Sequence, residues 1–461
     1  MLVIAATTLF ARDLHVAGGQ VWDGTGAATR RADVLVHDDR IVAVGLELDV
    51  PAGARVIDAS GGTVIPGLVD SHVHLSMAPG AAWRDESSPP GTLGHHLRAY
   101  LAAGVTTVVD PGVSFEDIAA IRAKIASGAP SPRYVPLGPP LSPPGGYVSV
   151  LLDNFAPVAT EVDVATVLDR AVQTGLGGVK VTVEDGFVNP IWPLHPPAIL
   201  HAIRRGAAER GLRVYAHAMS PTEQRIALDE LGATVLVHPL DRPDPATIRR
   251  VADAGAYTMT TLSVYDGPEM GWTPGRLDDP RLDLLVPAHE LATARDPEVQ
   301  RAYDLAMVET VYPRLPGKAT VAASPLPRAL TRARARRTAR TIVALSRAGV
   351  PLVMGSDSGN WPIIPYLFHG PTSIREVELL GRAGLSPAEA LLAATFTPAR
   401  MLGLDGEMGT VEQGKLADLV VVAGNPLSNL AALYDPRWVI RAGVARTPAE
   451  WMVAAGPRPA P

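Results

Sequence analysis

Between Gly62 and Gly403 the chain repeats one pattern: a short apolar run rich in β-branched residues, then a stretch with helical spacing. The runs fall at Thr63–Val69, Val105–Val109, Arg133–Leu137, Gly178–Val183, Arg213–Ala218, Thr234–Val237, Tyr257–Leu262 and Pro351–Gly355. Stretches such as TLGHHLRAYLAAG, DVATVLDRAVQTG, PAILHAIRRGAAERG and ARRTARTIVALSRAG lie between them. Strands separated by helices pair in parallel, because each helical crossover returns the chain to the same end of the sheet. The runs lack a clean polar/apolar alternation, as befits strands covered on both faces. Eight such units suit an α/β fold closed into a (β/α)8 TIM barrel, expected over 62–403. An open doubly wound sheet is the alternative, weakened because no GxGxxG or P-loop follows the first strand.

The two ends read differently. DLHVAGGQVWDGTG, ADVLVHDDRIVAVG and ARVIDAS near the start, and GEMGTVEQGKLADLVVVAGNP and RWVIRAGVAR near the end, are short strands punctuated by Gly, Asn and Asp turns. They are expected to join in one small β-sandwich, with 1–61 as its N-terminal part and 404–461 as its C-terminal part. The first strand is expected to begin within TTLFARDLHV. Two segments interrupt the middle: a Pro/Gly-rich loop from Ala129 to Tyr147, and a long stretch from Ser263 to Leu330 with a helical piece near Asp296–Tyr312. Active sites of parallel barrels are built from the loops after the strands, so the long stretch is expected to act as a partial lid or a subunit contact.

Composition narrows the classes. Hydrophobic residues make up 47% of the 461 residues and charged residues 19%, enough for a large core. The formal net charge of -6 argues against a nucleic-acid partner, which needs a basic face. The one basic run, TRARARRTAR at 331–340, reads as a solvated helix face. There is no cysteine, so any metal must rest on His, Asp, Glu or Lys. The opening MLVIAATTLFA has no Lys or Arg before its apolar part and is too short to span a bilayer. A cytoplasmic enzyme without membrane partners, acting on a small molecule and assembling as a homo-oligomer, is expected; export stays open.

Polar residues gather at one end of the expected strands. His72 and His74 close TVIPGLVDSHVH, His217 closes RVYAHA, His238 closes TVLVHP, Asp357 closes PLVMGSD, and Lys180 lies in GVKVTV. Residues two apart in a strand share a face, so His72 and His74 can both point into the barrel mouth. Taken singly, a strand histidine is more often a packed residue than a ligand, a buried lysine usually has a carboxylate partner, and Asp357 could cap a helix. Six such residues at the same end are better explained by a metal site, since imidazole and carboxylate suit zinc and similar ions.

With PGLVDSHVHL, the lysine, two single histidines and the last-strand aspartate in that order, the chain resembles the amidohydrolase superfamily. GVTTVVDPG, GKLADLVVVAGNPL and LSPAEALLAATFTPARMLG strengthen the resemblance, which covers nearly the whole chain. Within that superfamily, the chain looks like the prolidase-like and imidazolonepropionase-like branch. The resemblance implies two divalent metal ions, zinc foremost. His72, His74 and Asp357 would hold the first and His217 and His238 the second, with Lys180 as its carbamate bridging both. A bridging water would be acidified towards neutrality, Asp357 would accept its proton and pass it to the leaving group, and the second metal would polarise the scissile carbonyl.

The implied reaction is hydrolysis of an amide or other C–N bond in a dipeptide, N-acyl amino acid or cyclic amide. An esterase, lactonase or phosphotriesterase with the same metal pair is the alternative. A one-metal deaminase is disfavoured by Lys180, and a non-catalytic scaffold by six intact ligands. Relatives often carry a histidine after the PPGG loop where this chain has Tyr147, an expected substrate contact able to donate to an oxyanion. His369, after the eighth strand, is a second expected substrate contact. His95 and His96 read as structural, and His195 and His201 as surface or supporting residues. Trp192, Trp272, Trp361 and Tyr265 in the long loops hint at an apolar substrate portion.

Overall fold

The computed structural model describes residues 13–78, 81–82, 92–151, 155–187, 190–312, 314–361 and 363–454. Residues 7–12, expected in the first strand, lie outside that set. Strand and helix alternate through the middle as the sequence pattern requires. The strands form two parallel sheets. One orders Arg133–Pro136, Val105–Asp110 and Leu68–Asp70. The other orders Ala156–Pro157, Leu141–Ser142, Gly178–Thr182, Arg213–His217, Val235–Leu236, Tyr257–Met259 and Leu352–Val353. The third apolar run gives Arg133–Pro136 in the first sheet, and a further strand, Leu141–Ser142, starts the other sheet after Pro139 and Pro140, which have no N–H to give to a ladder. Backbone bonds tie the other edges: Ser71 N–H to Met354 O at 2.9 Å, Asp357 N–H to His72 O at 2.7 Å and His74 N–H to Ser358 O at 2.8 Å. Aliphatic side chains of the helices and strands merge into one buried cluster, with Leu97, Val108, Val181, Ile203, Leu236 and Val377 inside it.

The expected first strand, Thr63–Val69, is in fact two. Gly62–Pro66 pairs antiparallel with Leu419–Ala423 and parallel with Gln20–Val21, while Leu68–Asp70 joins the parallel sheet. The chain changes sheets at Gly67, where a Cβ would collide with the Thr106 side chain. The N- and C-terminal segments thus share a six-stranded sheet, ordered Val444–Arg446, Pro436–Arg441, Leu419–Ala423, Gly62–Pro66, Gln20–Val21 and Arg30–Arg31. A four-stranded sheet orders Arg40–Gly45, Asp33–His37, Asp13–Ala17 and Arg55–Asp58. Leu14, Val16, Val34, Ile41 and Ile57 of this sheet and Val64, Leu419, Val421 and Ile440 of the other belong to one buried cluster.

The long stretch after the seventh run is helical rather than loop-like. Ser263–Trp272, Pro280–Leu285, Ala288–Arg295, Pro297–Val311 and Lys318–Ala322 precede the long helix Leu326–Arg347. Leu282, Val286 and Leu291 bury against Tyr366 and Phe368, and Trp272 and Tyr303 bury against Ile364 and Leu367. The stretch is therefore docked on the segment that follows the last parallel strand. Its start is pinned by Glu376, which accepts from Leu262 N–H at 2.9 Å, Ser263 N–H at 2.6 Å and Thr260 Oγ1 at 2.6 Å. Its middle is pinned by a pair buried to 1% exposure on each side, His96 Nε2 to Glu290 Oε1 at 2.6 Å. Among the described residues no helix is long and apolar enough to cross a membrane.

Candidate metal centre

Strand geometry places the polar residues. Lys180 lies opposite Tyr215 and Thr182 opposite His217 in the parallel register, so neighbouring strands end level with one another. Val73 bridges Ser358, which sets His72 and His74 beside Asp357. All six expected residues are buried and line one cavity of about 340 Å³. Ligand atoms of His72, His238 and Asp357 lie within 4.8 Å of one another. Asp357 Oδ1 is 3.0 Å from His74 Nε2 and 3.3 Å from His72 Nε2. The rings of His217 and His238 are 4.6 Å apart and those of His72 and His238 are 5.1 Å apart. Lys180 Nζ sits 3.4 Å from His72 Nε2.

Partners on the far side of the His72 and His238 rings set their orientation. His72 Nδ1 donates to Val237 O at 3.2 Å, so its Nε2 carries a lone pair. That lone pair faces the Asp357 carboxylate oxygen with no proton between them, an arrangement that calls for a cation. His238 Nδ1 is bonded to Thr261 Oγ1 at 2.9 Å, and Asn360 Nδ2 donates to Asp357 Oδ2 at 2.8 Å. His217 Nε2 faces Glu184 Oε2 at 3.4 Å, and neither atom has a hydrogen bond. Metal-ligating histidines usually have such carbonyl, hydroxyl or carboxylate supports.

Burial dominates the electrostatics. It holds His72 and His238 well below the ordinary histidine range and brings His217 down to about 3. It lowers Lys180 to about 8, against the pull of Asp357 and Asp110. Burial pushes the Asp357 carboxyl up, but His72 and His74 outweigh it and hold the group well below the usual carboxylate range. Burial raises Glu184 to about 7. Neutral imidazoles and an ionised carboxylate are the protonation states a divalent ion needs, so the donor set fits one.

Tyr147 lies at the cavity: its ring packs 4.8 Å from that of His217, it lines the cavity, and burial raises its hydroxyl well above the ordinary range. It opens the short helix Tyr147–Leu151 rather than sitting in a loop. His369 does not meet its expectation. Tyr100 Oη holds its Nδ1 and Met77 O holds its Nε2, each at 2.9 Å, its ring packs on His96, and it is not among the residues lining the cavity. His95 and His96 fasten the helical stretch through Leu285 O and Glu290. His195 is buried against Leu141 O, and His201 pairs with Glu230 on the exposed helix face. Trp272 is also absent from the lining; it donates to Asp304 Oδ1 and packs beneath the helix Pro297–Val311, whose Tyr303, Met307 and Thr310 do face the cavity. Glu184, Thr261 and Asn360 went unread in the sequence. Glu184 alone carried a signal, its place four residues past Lys180 on the same strand end.

A parallel α/β fold with a buried, cation-seeking His/Asp/Lys cluster at its strand ends defines a metal-dependent hydrolase of the amidohydrolase class. The chain belongs to the amidohydrolase family, whose profile matches residues 63–444, and members of that family bind divalent metals. It is 26% identical to an imidazolonepropionase from Symbiobacterium thermophilum over 425 residues, covering 85% of this chain and 83% of that one. Over 205 residues it is 31% identical to an allantoinase from Solibacter usitatus, covering 44% and 39%. Among solved structures, a Xaa-Pro dipeptidase with bound methionine superposes with a TM-score of 0.72 at 21% identity, over 94% of this chain and 100% of that one.

Proposed function

We propose that the chain hydrolyses an amide or other C–N bond of a small molecule at a pair of divalent metals, zinc foremost, held at the strand ends of an eight-stranded parallel barrel spanning 62–403. A β-sandwich would be built from 1–61 and 404–461. His72, His74 and Asp357 would hold one ion, His217 and His238 the other, with Lys180 between them. The observation that carries the reading is the buried meeting of His72, His238 and Asp357 within 4.8 Å in a cavity walled by aromatic residues. The hydrolases it is similar to, imidazolonepropionase, allantoinase and a Xaa-Pro dipeptidase, support C–N cleavage over the ester or phosphotriester alternative.

Bound metals would supply Lewis acidity, lowering the pKa of a water and polarising a carbonyl. The rest falls to the chain. Asp357, ionised and fixed by Asn360 and by the backbone of His72, is placed to take a proton at a carboxylate oxygen and return it to the departing nitrogen. Tyr147 offers a hydroxyl donor to the oxygen of the attacked group. The apolar walls exclude bulk water and strengthen both interactions. The test is a panel of N-acyl amino acids, dipeptides, cyclic amides, lactones and phosphotriesters against zinc-loaded protein. Turnover of C–N substrates that tracks metal content is expected; turnover of lactones or phosphotriesters alone sinks the proposal.

A further inference from the structure

The basic run of 331–340 was expected to form a solvated helix face, and four of its five arginines, Arg332, Arg336, Arg337 and Arg340, are exposed. Arg332 is 52% exposed and reaches outward to Glu269. Arg334 is turned about 200° from it around the helix Leu326–Arg347. It is partly buried and lines the same cavity as Lys180, His217 and Asp357. Its guanidinium lies 5.8 Å from the Phe187 ring centre and 5.6 Å from that of Tyr265. No carboxylate lies within ion-pair distance of it among the described residues. Glu184 is a buried carboxyl that feels its charge, yet Glu184 spends one oxygen on Gly186 N–H and turns the other to His217.

An unpaired guanidinium fixed between aromatic rings beside a hydrolytic centre is a poor structural choice. Partial burial weakens its hydration, and no ion-pair partner among the described residues compensates. A guanidinium presents a planar fork of N–H donors that matches a carboxylate bidentately. We propose that Arg334 anchors the free carboxylate of the substrate. This rests on the C–N hydrolase reading and narrows it: the scissile amide belongs to an N-acyl or N-aminoacyl derivative of an amino acid. That amino acid has an apolar side chain, for which Tyr265, Tyr303 and Met307 supply the wall. Cyclic amides lacking a carboxylate fall outside the class.

The experiment compares N-acetyl-L-phenylalanine and N-acetyl-L-leucine with their primary amides, using zinc-loaded wild type, Arg334→Met and Arg334→Lys. Wild type is expected to favour the acids. Arg334→Met should lose roughly 10–100-fold in kcat/KM on the acids, chiefly through KM, the worth of a hydrogen bond to a charged group. The amides should change less than about twofold, and Arg334→Lys should recover only part of the loss because an ammonium lacks the fork. Zinc content and melting temperature should be unchanged. An equal loss on acids and amides makes Arg334 a structural residue and overturns the proposal. Hydrolysis of C–N substrates without regard to the carboxylate overturns it while leaving the proposed function intact. If no C–N substrate is turned over, the proposed function fails separately, and calorimetry with the same acids and amides decides Arg334. Acid-selective binding abolished in Arg334→Met sustains the anchor, and its absence overturns it.

Discussion

Asp357 holds its backbone at φ 56 and nearby Thr261 at φ 33, in the left-handed region that residues with a Cβ mostly avoid. Such strain, of order 1–3 kcal/mol per residue, persists where the surroundings fix it. Here the Asp357 N–H donates to His72 O while its carboxylate faces His72 and His74. Asparagine tolerates this conformation, so Asp357→Asn should fold normally. Its turnover should fall by roughly 10²–10⁴-fold, the usual contribution of a positioned acid/base; near wild-type kcat with full metal content contradicts the assignment. For Lys180→Ala, metal analysis should find a depleted centre and assays little activity, with partial rescue by short carboxylates. Retention of both metals and full activity would remove Lys180 from the site. At this scale the sequence was legible wherever strand parity does the work, as for His72 and His74. It was not legible where a side chain's partners come from distant segments. His369 looked free for substrate, but Tyr100 and Met77, far off in the chain, take both its nitrogens. Thr261 and Asn360 are ordinary residues in the text and acquire meaning only by facing His238 and Asp357.

Among the elements, the helical stretch after the seventh apolar run lines much of the cavity. Its apolar residues announced that it would bury something, yet not which helix faces the centre. That depends on docking against Ile364 and Leu367, which no local pattern encodes. The helix Pro297–Val311 forms the wall, so Met307→Ala should change the ratio of kcat/KM between bulky and small substrates while zinc content stays constant. Trp272→Phe loses the hydrogen bond to Asp304 and part of the buried ring, and should lower the melting temperature without shifting that ratio. An unchanged ratio in Met307→Ala across a substrate series removes the helix from specificity. The anchor is as testable. Glu376→Ala strands two backbone N–H groups and a hydroxyl in a buried site, at about 1–3 kcal/mol for each unsatisfied group. Denaturant melts should show that loss, and a variant as stable as wild type would mean the turn at 260–263 is held by other contacts.

For the whole molecule, the alternation of strands and helices made the parallel α/β class readable, and the Gly- and Asp-punctuated ends made their partnership readable. The change of sheet at Gly67 was hidden, because Thr63–Val69 is one apolar run by any local criterion; only the collision awaiting a side chain beside Thr106 divides it. Ligands that bind the folded state alone stabilise it by mass action, by about 2.7 kcal/mol at a hundredfold excess over Kd. Chelating the metals should therefore lower the melting temperature as well as abolish turnover, and zinc should restore both. A melting temperature indifferent to chelation indicates that folding and metal binding are uncoupled.

The pairing of Gly62–Pro66 with Leu419–Ala423 also bears on how the protein is made. About 350 residues separate the two strands, so at about 5–20 residues per second the earlier one waits roughly 20–70 s on the ribosome for its neighbour. Throughout that interval Thr63, Val64 and Ile65, all buried in the finished enzyme, present an open strand edge of the kind that recruits other chains. A nascent chain of this protein is thus a natural client for a ribosome-associated chaperone until translation is nearly complete. Any product terminated before Leu419 keeps that edge uncovered and is destined for aggregation or proteolysis rather than for a smaller working enzyme.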